Sequence, residues 1–461
     1  MITCPSELRE QSIAAVATPP GAGGICVVRI SGGNVFQTVN RLLGAKVQRI
    51  ELRSKNTFFH TTIYDCETGE SIDDALVLIF HAPHSYTGEN TVEIQGHGGV
   101  IPAQRILNAV LKAGARMAEP GEFTRRAFLN GNLDLTQAEA VCDLIQSQTE
   151  RAAAAARVQL DGALGGEIHN LYHLIVGLSA DLEHVLDFDE GEIADNFVHQ
   201  TVRQLQQLKL ALERLISTWR EGELLRRGVL IVLSGAPNAG KSSLLNALLR
   251  RDRAIVHNLP GTTRDVIEES YSLSGIPARL VDTAGLRNSE DEVEHEGVQR
   301  AYALIQQADL NLLVIDQHAM EREQLDSIVH FFNQDTLLLV LNKSDLPAGQ
   351  QTPLPCDAPM VAVSAVTGEG LDDLKAVMKT RLGITDNFQS HSVISQRHLE
   401  ELRTAARAVE ETLQLLTIDT AAIVIAAGYL REGSEALGRI TGRVYSEDLL
   451  NNIFGKFCVG K

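Results

Sequence analysis

The sequence predicts a multidomain protein with an α+β N-terminal domain, a helical domain, and a doubly wound α/β domain inserted into the helical one. The first observation is an alternation of short apolar runs with helical patterns between residues 227 and 381, which is typical of a doubly wound sheet. The second is the helical spacing of alanine and leucine on both sides of that segment, from about 134 to 226 and from about 383 to 455.

The changes in pattern also set the expected domain boundaries. The N-terminal domain takes residues 1–130, the helical domain takes 131–226 and 382–461, and the inserted domain takes 227–381. A chain of 461 residues has room for two to four domains at roughly 100 to 200 residues each. The alternative is that the two helical stretches form two separate bundles.

The N-terminal segment shows both periodicities. Ile25–Ile30 and Ala75–Phe80 are apolar runs of strand length, whereas Pro102–Ala113 repeats its apolar residues at helical spacing. Glycine and proline clusters lie between these runs and indicate turns. We therefore predict a small α+β domain here.

Composition excludes several classes of protein. The chain has 59 acidic and 41 basic side chains and a net charge of −18, which makes it a poor non-specific binder of nucleic acid. Its apolar runs are shorter than the roughly 18 residues of a membrane-spanning helix, and the N-terminus lacks the layout of a targeting peptide. We expect no membrane association and a cytoplasmic location. The six cysteines form no C-x-x-C pair, and we expect most of them to be small core residues.

A phosphate-binding loop opens the inserted domain. Gly235–Ser242 matches the pattern G-x-x-x-x-G-K-[ST] between the predicted strand Val229–Leu233 and the helical run Ser243–Leu249. Glycine lets the backbone N–H groups wrap a phosphate, and the helix N-terminus adds a positive dipole end. Lys241 can then bridge the β- and γ-phosphates, and the hydroxyl of Ser242 can bind Mg²⁺.

Two later segments are suited to the metal and the γ-phosphate. Asp282–Gly285 follows the predicted strand Arg279–Val281, where Asp282 can hold Mg²⁺ through water. The loop Gly261–Asp265 has the character of a switch segment, in which Thr263 would be a second Mg²⁺ ligand. Each segment alone could be an ordinary turn at a strand end.

Two further segments are suited to a guanine base. Asn342–Asp345 follows the predicted strand Leu337–Leu341, and the carboxylate of Asp345 can accept from the ring N–H and the amine of guanine. Adenine has no such pair of donors, so a buried carboxylate there rejects ATP. Ser364 and Ala365 follow the next strand and can support the base.

The residues alone leave the mechanism of hydrolysis open. Leu286 occupies the position of the water-orienting glutamine of Ras-like enzymes, and leucine cannot orient water. Another polar group must act, and Arg287–Glu296 holds several candidates among which chemistry alone does not choose. Asn238 could bind a monovalent cation beside the phosphates, or it could be present only because asparagine tolerates a tight turn.

The chain as a whole resembles the MnmE (TrmE) family of tRNA-modification GTPases. The resemblance rests on motifs spread over the full length: Ala17–Gly21, Arg29–Gly32, Tyr86–Glu89, Gln95–Gly99, Pro120–Thr124, Arg126–Asn130, Leu133–Leu135, Pro237–Leu244 and Ile453–Lys461. It implies a folate-binding N-terminal domain, a helical domain and an inserted GTPase domain. It also implies a homodimer formed by the N-terminal domains.

The resemblance further implies an activity. Together with the FAD-containing protein MnmG, in a heterotetramer, the family adds an aminomethyl or carboxymethylaminomethyl group to carbon 5 of the wobble uridine of certain tRNAs. The carbon comes from 5-formyl- or methylene-tetrahydrofolate. Hydrolysis of GTP, with Mg²⁺ and stimulated by K⁺, drives the conformational cycle.

The resemblance assigns roles to residues of this sequence. Glu294 matches the water-orienting glutamate, Asn238 with His257, Leu259 and Thr262 match the K⁺ ligands, and Ser242 with Thr263 match the Mg²⁺ ligands. The folate contacts fall on Arg29, Glu93, Asn132 and Lys461, although some relatives carry Lys at the position of Asn132. The expected GTP contacts are Asn238, Ala239, Gly240, Lys241, Ser242, Ser243, His257, Asn258, Leu259, Pro260, Gly261, Thr262, Thr263, Asp282, Thr283, Ala284, Gly285, Asn342, Lys343, Asp345, Ser364 and Ala365.

Three alternatives stay open at this point. Cys458 matches a family cysteine and is a candidate catalytic residue beside Glu294 and Lys241, but it could be a free thiol on a mobile tail. A ribosome-assembly GTPase without substrate chemistry would share the central motifs. A third interpretation takes Gly21–Gly24 as the dinucleotide loop of an oxidoreductase, although a strand-like run follows it rather than a helix.

Overall fold

The structure is a computed structural model of the chain. It describes residues 11–44, 47, 49–52, 57–185, 195–251, 268–282, 293–316, 318, 329–347, 358–384, 394–418 and 423–461. The chain divides into two compact units. The first comprises Met1–Cys142, Gln159–Leu208 and Thr404–Lys461, and the second comprises Asp143–Val158 and Lys209–Arg403. The second unit therefore combines the predicted insertion with helical residues on both sides of it.

A six-stranded sheet forms the N-terminal part of the first unit. Its strands run in the order β3-β4-β5-β2-β1-β6. Neighbours are antiparallel except for β1 and β6, which are parallel. The strands are β1 Ile13–Val16, β2 Ile25–Ser31, β3 Thr57–Tyr64, β4 Ser71–Phe80, β5 Thr91–His97 and β6 Arg116–Met117.

The alternation of buried and half-buried residues along the strands shows which face of this sheet is covered. Along β2, Cys26, Val28 and Ile30 enter a core that also takes apolar residues of the helices α1 (Val35–Asn40) and α2 (Val100–Lys112). The opposite face carries Val27 and Arg29. The predicted strands and helix are confirmed: β2 ends one residue later than predicted, β4 begins four residues earlier, and the helix begins two residues earlier and ends one residue earlier. Strands β1, β3, β5 and β6 had no sequence prediction.

Helices account for most of the rest of the first unit. The long helices α6 (Ala163–Val185) and α13 (Ile423–Thr441) pack together, and Gly433 lets α13 approach Ile175 of α6 closely. The helices that lie wholly or partly in this unit are α1 Val35–Asn40, α2 Val100–Lys112, α3 Glu122–Leu129, α4 Leu135–Gln146, α5 Glu150–Leu160, α6 Ala163–Val185, α7 Asp195–Ser217, α12 Gln396–Ile418, α13 Ile423–Thr441 and α14 Glu447–Phe454.

The second unit contains a six-stranded sheet in the order β12-β11-β10-β7-β9-β8. All pairs are parallel except β8 with β9, an antiparallel edge pair that the sequence did not predict. The strands are β7 Val229–Ser234, β8 Glu268–Leu273, β9 Ile276–Asp282, β10 Leu310–Asp316, β11 Leu337–Asn342 and β12 Met360–Ala362. The helices of this region are α8 Trp219–Arg227, α9 Lys241–Arg251, α10 Val293–Gln307 and α11 Leu371–Leu382.

Three further predictions from the sequence can be compared with the structure. Within the described ranges, no helix is long and apolar enough to cross a membrane. Of the four described cysteines only Cys26 is buried, while Cys66 is exposed and Cys142 is half-buried, so the expectation of mostly core cysteines is wrong for these. Gly21–Gly24 leads directly into strand β2 rather than into a helix, which removes the structural context that a dinucleotide loop needs.

Candidate functional site

The phosphate-binding loop lies between β7 and α9 at the carboxyl edge of the second sheet. Gly235 has φ +142°, and a Cβ there would stand 2.2 Å from the carbonyl oxygen of Val314, so only glycine fits. Lys241 is 6 % exposed, and its Nζ donates to the carbonyl oxygens of Gly235 and Ala236 at 3.1 and 3.0 Å. The loop thus folds around the lysine ammonium, and the predicted order of strand, loop and helix is confirmed.

Two oxygen ligands meet beside this loop. The hydroxyl of Ser242 donates to the Asp282 carboxylate at 2.7 Å, although the two residues are 40 positions apart. Asp282 ends β9 and is 1 % exposed. A hydroxyl and a carboxylate are the hard oxygen donors that Mg²⁺ prefers. The pair therefore has the chemistry of a magnesium site, while no group of three or more His, Cys, Asp or Glu side chains suited to a metal occurs in the part of the chain that is described.

Asn342 ties the phosphate-binding loop to the loop after β12. Its amide nitrogen donates to the carbonyl oxygen of Ala239 at 2.9 Å, and its amide oxygen accepts from the N–H of Ala365 at 3.2 Å. A Cβ at Gly240 would come within 2.2 Å of the same amide. Asn342 is 2 % exposed, so its two hydrogen bonds are buried. They hold the two loops together beside the proposed nucleotide position.

Asp345 is held in one orientation. Its carboxylate accepts from the hydroxyl of Ser364 at 2.7 Å, and the same hydroxyl accepts from the N–H of Thr367 at 3.1 Å. Ser364 is fully buried. Asp345 is exposed, so its carboxylate is accessible to a ligand with two adjacent N–H donors, as guanine has.

Asp316, at the end of β10, is a residue of this edge that the sequence prediction missed. Its carboxylate accepts from the Nζ of Lys343 at 2.5 Å, and Lys343 itself has φ +67°. Asp316 pairs with Asn342 in the register of β10 and β11. The signal that could have found it is an acidic residue at the end of a buried strand next to the predicted base-binding loop.

The remaining predicted residues of the nucleotide site are described only in part or not at all. Asn238 has φ +64°, a left-handed turn conformation, and Ser243 is exposed at the start of α9. Glu294 belongs to helix α10, but its side chain lies outside the described part. Also outside the described residues are His257, Asn258, Leu259, Pro260, Gly261, Thr262, Thr263, Thr283, Ala284 and Gly285.

A second cluster of polar side chains lies on one face of the N-terminal sheet. Arg29 of β2 and Glu93 of β5 are direct cross-strand neighbours, and the Arg29 Nε donates to the Glu93 carboxylate at 2.8 Å. The Arg29 guanidinium lies 5.3 Å from the ring of Tyr86 and 5.7 Å from the ring of Phe123. Its Nη1 is buried without a hydrogen-bond partner among the described residues. A buried donor of this kind is suited to a ligand oxygen.

The C-terminal tail reaches this cluster. Burial lowers the pKa of the Lys461 ammonium, the nearby charge of Arg29 lowers it further, and Glu93 opposes both effects. Gly460 has φ +99°, and a Cβ there would meet the Val16 carbonyl oxygen at 2.4 Å, so the tail lies directly on β1. Residues 29, 93 and 461, which lie far apart in sequence, are thus brought together.

The other two predicted residues of this region have different surroundings. The amide of Asn132 donates to the carbonyl oxygens of Ser85 and Tyr86 at 3.0 and 3.2 Å, so it supports the turn that carries the Tyr86 ring. Cys458 is exposed. Its neighbour Val459 lines a cavity of about 540 Å³.

A buried ion-pair network supports the same region and was not predicted. The Arg126 guanidinium donates to Glu89 at 3.0 Å and to Glu122 at 3.1 Å, and Ser31 donates to Glu89 at 2.9 Å. Burial alone would raise the pKa of Glu122, but hydrogen bonds from Arg116 and from the Glu119 N–H, with the charge of Arg126, lower it. Ser31 lies two residues from Arg29, so the network fixes β2 beside the cluster.

Comparisons with known proteins agree with this architecture. A family model described as the MnmE helical domain matches residues 135–458, and one described as the GTP-binding protein TrmE N-terminus matches residues 12–132. A solved structure, the G domain of the T. maritima FeoB iron transporter, is 30% identical with a TM-score of 0.25 and covers 33% of this chain and 98% of that one.

Similar curated proteins are named tRNA modification GTPase MnmE. That of Moorella thermoacetica is 41% identical over 98% of this chain and its own full length. That of Chlorobium phaeovibrioides is 40% identical, with 98% of each chain covered. That of Symbiobacterium thermophilum is 42% identical over 98% of this chain and its full length. Together with the GTPase edge described above, these matches over nearly the whole length show that the chain belongs to the MnmE (TrmE) family of tRNA modification GTPases.

Proposed function

We propose that this GTPase, together with the FAD-containing protein MnmG, adds an aminomethyl or carboxymethylaminomethyl group to carbon 5 of the wobble uridine of certain tRNAs. A tetrahydrofolate supplies the carbon. The observation that carries the proposal is the cluster of Arg29, Glu93 and Lys461, because a GTPase that acts only as a switch has no need of a second ligand site.

The cluster has the chemistry that a folate requires. The free Nη1 donor of Arg29 and the Lys461 ammonium are suited to ligand oxygens, and the Glu93 carboxylate is suited to N–H groups of a pterin ring. The rings of Tyr86 and Phe123 offer apolar surface beside them. Bound there, 5-formyl- or methylene-tetrahydrofolate would supply the one-carbon unit, while these side chains bind and orient it. Asn132 would act through the turn that carries Tyr86, and Cys458 is kept as a candidate for the chemistry.

The carboxyl edge of the second sheet, named the nucleotide edge from here on, is the proposed binding site of GTP, Mg²⁺ and K⁺. Ser242 and Thr263 would bind Mg²⁺, with Asp282 holding it through water, which agrees with the 2.7 Å contact of Ser242 and Asp282. Asn238 and the carbonyl groups of His257, Leu259 and Thr262 would hold K⁺. Glu294 would orient the attacking water, since leucine at position 286 cannot.

A homodimer is also part of the proposal. The sheet face that carries Arg29 continues to apolar side chains exposed to solvent, Ile25 at 64 %, Phe58 at 70 % and Leu76 at 40 %. Large apolar side chains exposed on one face of a folded domain are candidates for an interface. We propose that a second copy covers it, that MnmG joins to form a heterotetramer, and that the assembly acts on tRNA in the cytoplasm.

One experiment tests the function directly. Wobble uridines from cells lacking this chain are analysed by mass spectrometry after complementation with the wild type, Arg29→Gln or Arg41→Gln. Arg41 is a matched control, because it donates to the Ala113 carbonyl oxygen in the same domain, away from the cluster. The wild type and Arg41→Gln should restore the modified uridine, and Arg29→Gln should not. Full modification with Arg29→Gln would contradict the folate site, and unmodified uridine with the wild type would contradict the function.

A further inference from the structure

Two acidic residues flank strand β10 and have different surroundings. Asp309 precedes the strand, pairs with Arg227 at 2.8 Å and accepts from the N–H of Leu230 at 2.8 Å. Asp316 ends the strand at the nucleotide edge and accepts from Lys343 at 2.5 Å. The first contact is remote from every predicted nucleotide contact, and the second is adjacent to several of them.

The carboxylate of Asp316 is fixed on both oxygens. One accepts from Lys343 and the other from the N–H of His318 at 3.0 Å. The side chain is 16 % exposed. Burial opposes ionisation, but the hydrogen bonds from Lys343 and His318 outweigh it and lower the pKa of Asp316. The carboxylate is therefore a charged, oriented anchor.

Lys343 is fixed at its other end by the backbone. Its φ of +67° lies in the left-handed region, which residues other than glycine and asparagine rarely adopt. The neighbouring residues are Asn342, which contacts the phosphate-binding loop, and two positions later Asp345, which contacts Ser364. The Lys343 side chain thus runs from this loop to Asp316.

We infer that Asp316 is a positioning residue for the guanine nucleotide, which holds the Lys343 amino group so that the lysine methylenes form a fixed surface under the base. A free lysine would lose rotamer freedom when the nucleotide arrives, and that loss would weaken binding. Asp316 removes this loss in advance without touching the base. The inference rests on the proposed contact of Asp345 with guanine.

The test compares Asp316→Asn with Asp309→Asn, which is the same change at the other end of the same strand. Affinities for GDP and GTP are measured by titration calorimetry, and KM and kcat by GTP turnover. Asp316→Asn should weaken binding of both nucleotides about tenfold, the size expected for one charged hydrogen bond, with the larger change in KM. Asp309→Asn should bind nucleotide as the wild type does. Equal affinities for the wild type and Asp316→Asn would overturn the inference.

A double-mutant cycle shows whether Asp316 acts through the lysine. In a Lys343→Met background, Asp316→Asn should cause no further loss of affinity, because the group that it holds is gone. A full additional tenfold loss in that background would overturn the inference. Asp345→Asn is measured in parallel: if it leaves GDP affinity unchanged, the proposed base site is wrong, whereas if it abolishes binding while Asp316→Asn does not weaken it, only the inference fails.

Discussion

The nucleotide edge and the N-terminal cluster are assembled in opposite ways. At the nucleotide edge, Lys241, Ser242, Asp282 and Asp345 each follow or end one of the mutually parallel strands of one sheet, so the sheet itself brings them together. In the N-terminal cluster, Arg29 and Glu93 meet only through the register of two antiparallel strands, and Lys461 arrives on the tail.

This difference determines how each site can be found. Carboxyl ends of parallel strands always lie at one edge, so short local motifs are enough to predict a site there. A cross-strand pair depends on register, and a one-residue slip would place Arg29 on the opposite face. We therefore expect the nucleotide site to respond to single side chains, and the N-terminal site to respond to the strands and tail that assemble it.

The largest expected effect is on the choice of nucleotide. Asp345→Asn replaces an acceptor with a donor that faces the donors of guanine, so GTP affinity should fall by several kcal/mol, as in other hydrogen-bonded specificity sites. Xanthosine triphosphate should partly recover binding. Affinities for GTP, ATP and xanthosine triphosphate measure this. A variant that still prefers GTP to both would show that Asp345 does not read the base.

The next effect is on hydrolysis. Glu294→Ala should bind GTP nearly normally and hydrolyse it about 10²- to 10⁴-fold more slowly, the usual cost of losing a group that positions or activates water. Single-turnover hydrolysis measures the rate. Gln299→Ala is the control, because Gln299 is exposed on the same helix α10. If Glu294→Ala and Gln299→Ala turn over equally fast, Glu294 is only a solvated side chain.

The two regions could be predicted from the sequence to different extents for this reason. Strands β7, β10 and β11 are buried along nearly their whole length, so continuous apolar runs reveal them. Strand β3 carries Phe58 and Phe59 side by side and has only Ile63 buried, so it shows neither a continuous apolar run nor a regular alternation of apolar and polar residues. Its pairing with β4 depends on tertiary contacts. The buried network of Arg126, Glu89 and Ser31 could not be predicted, because charged residues are usually exposed and only the fold shows their pairing.

A third effect concerns the monovalent ion. With no glutamine at position 286 and no identified arginine finger, K⁺ at Asn238 would supply the charge at the β–γ bridging oxygen. Turnover in KCl should exceed turnover in NaCl at matched ionic strength by about 10²-fold, comparable with one oxyanion donor. Asn238→Gly should abolish the difference. Glycine is a better test than alanine, because it keeps the φ of +64° without strain.

One result would contradict the proposed K⁺ site. Equal rates in the two salts would leave Asn238 as a turn residue only. Guanine affinity serves as the control for both Asn238→Gly and Asn238→Ala, since neither removes a group from the base-binding loop. A loss of GDP affinity in Asn238→Gly would mean that the loop itself had changed.

A fourth effect concerns the N-terminal cluster. Arg29→Gln should weaken binding of 5-formyl-tetrahydrofolate by about 1.5–3 kcal/mol, the cost of hydrogen bonds to a charged group. Removal of Lys461 should weaken it less, since the Arg29 and Glu93 pair remains. GTP turnover of the isolated chain should not change in either variant, because the two sites belong to different compact units. Unchanged folate affinity in Arg29→Gln would remove the reason for placing the ligand there.

The smallest expected effect concerns the pairing of β4 with β5 in this sheet. His97 of β5 donates or accepts at Nδ1 with the Asp73 carboxylate at 2.6 Å, and the Asp73 charge and hydrogen bond raise the pKa of His97. Protonated His97 is thus favoured in the folded chain. The stabilisation is full below the unfolded pKa of about 6.5 and is lost as pH rises through the higher folded value.

An NMR titration of His97 measures this pair directly. Asp73→Asn should return the pKa of His97 toward its ordinary value, because both the charge and the charged acceptor are lost. Asp74→Asn is the matched control: Asp74 accepts from the Thr62 hydroxyl at 2.5 Å and makes only a small contribution to the pKa of His97. A smaller change in Asp74→Asn than in Asp73→Asn would support the register of β4 and β5, the strand that carries Glu93. Equal changes in the two variants, or none in Asp73→Asn, would mean that β4 and β5 pair differently in solution.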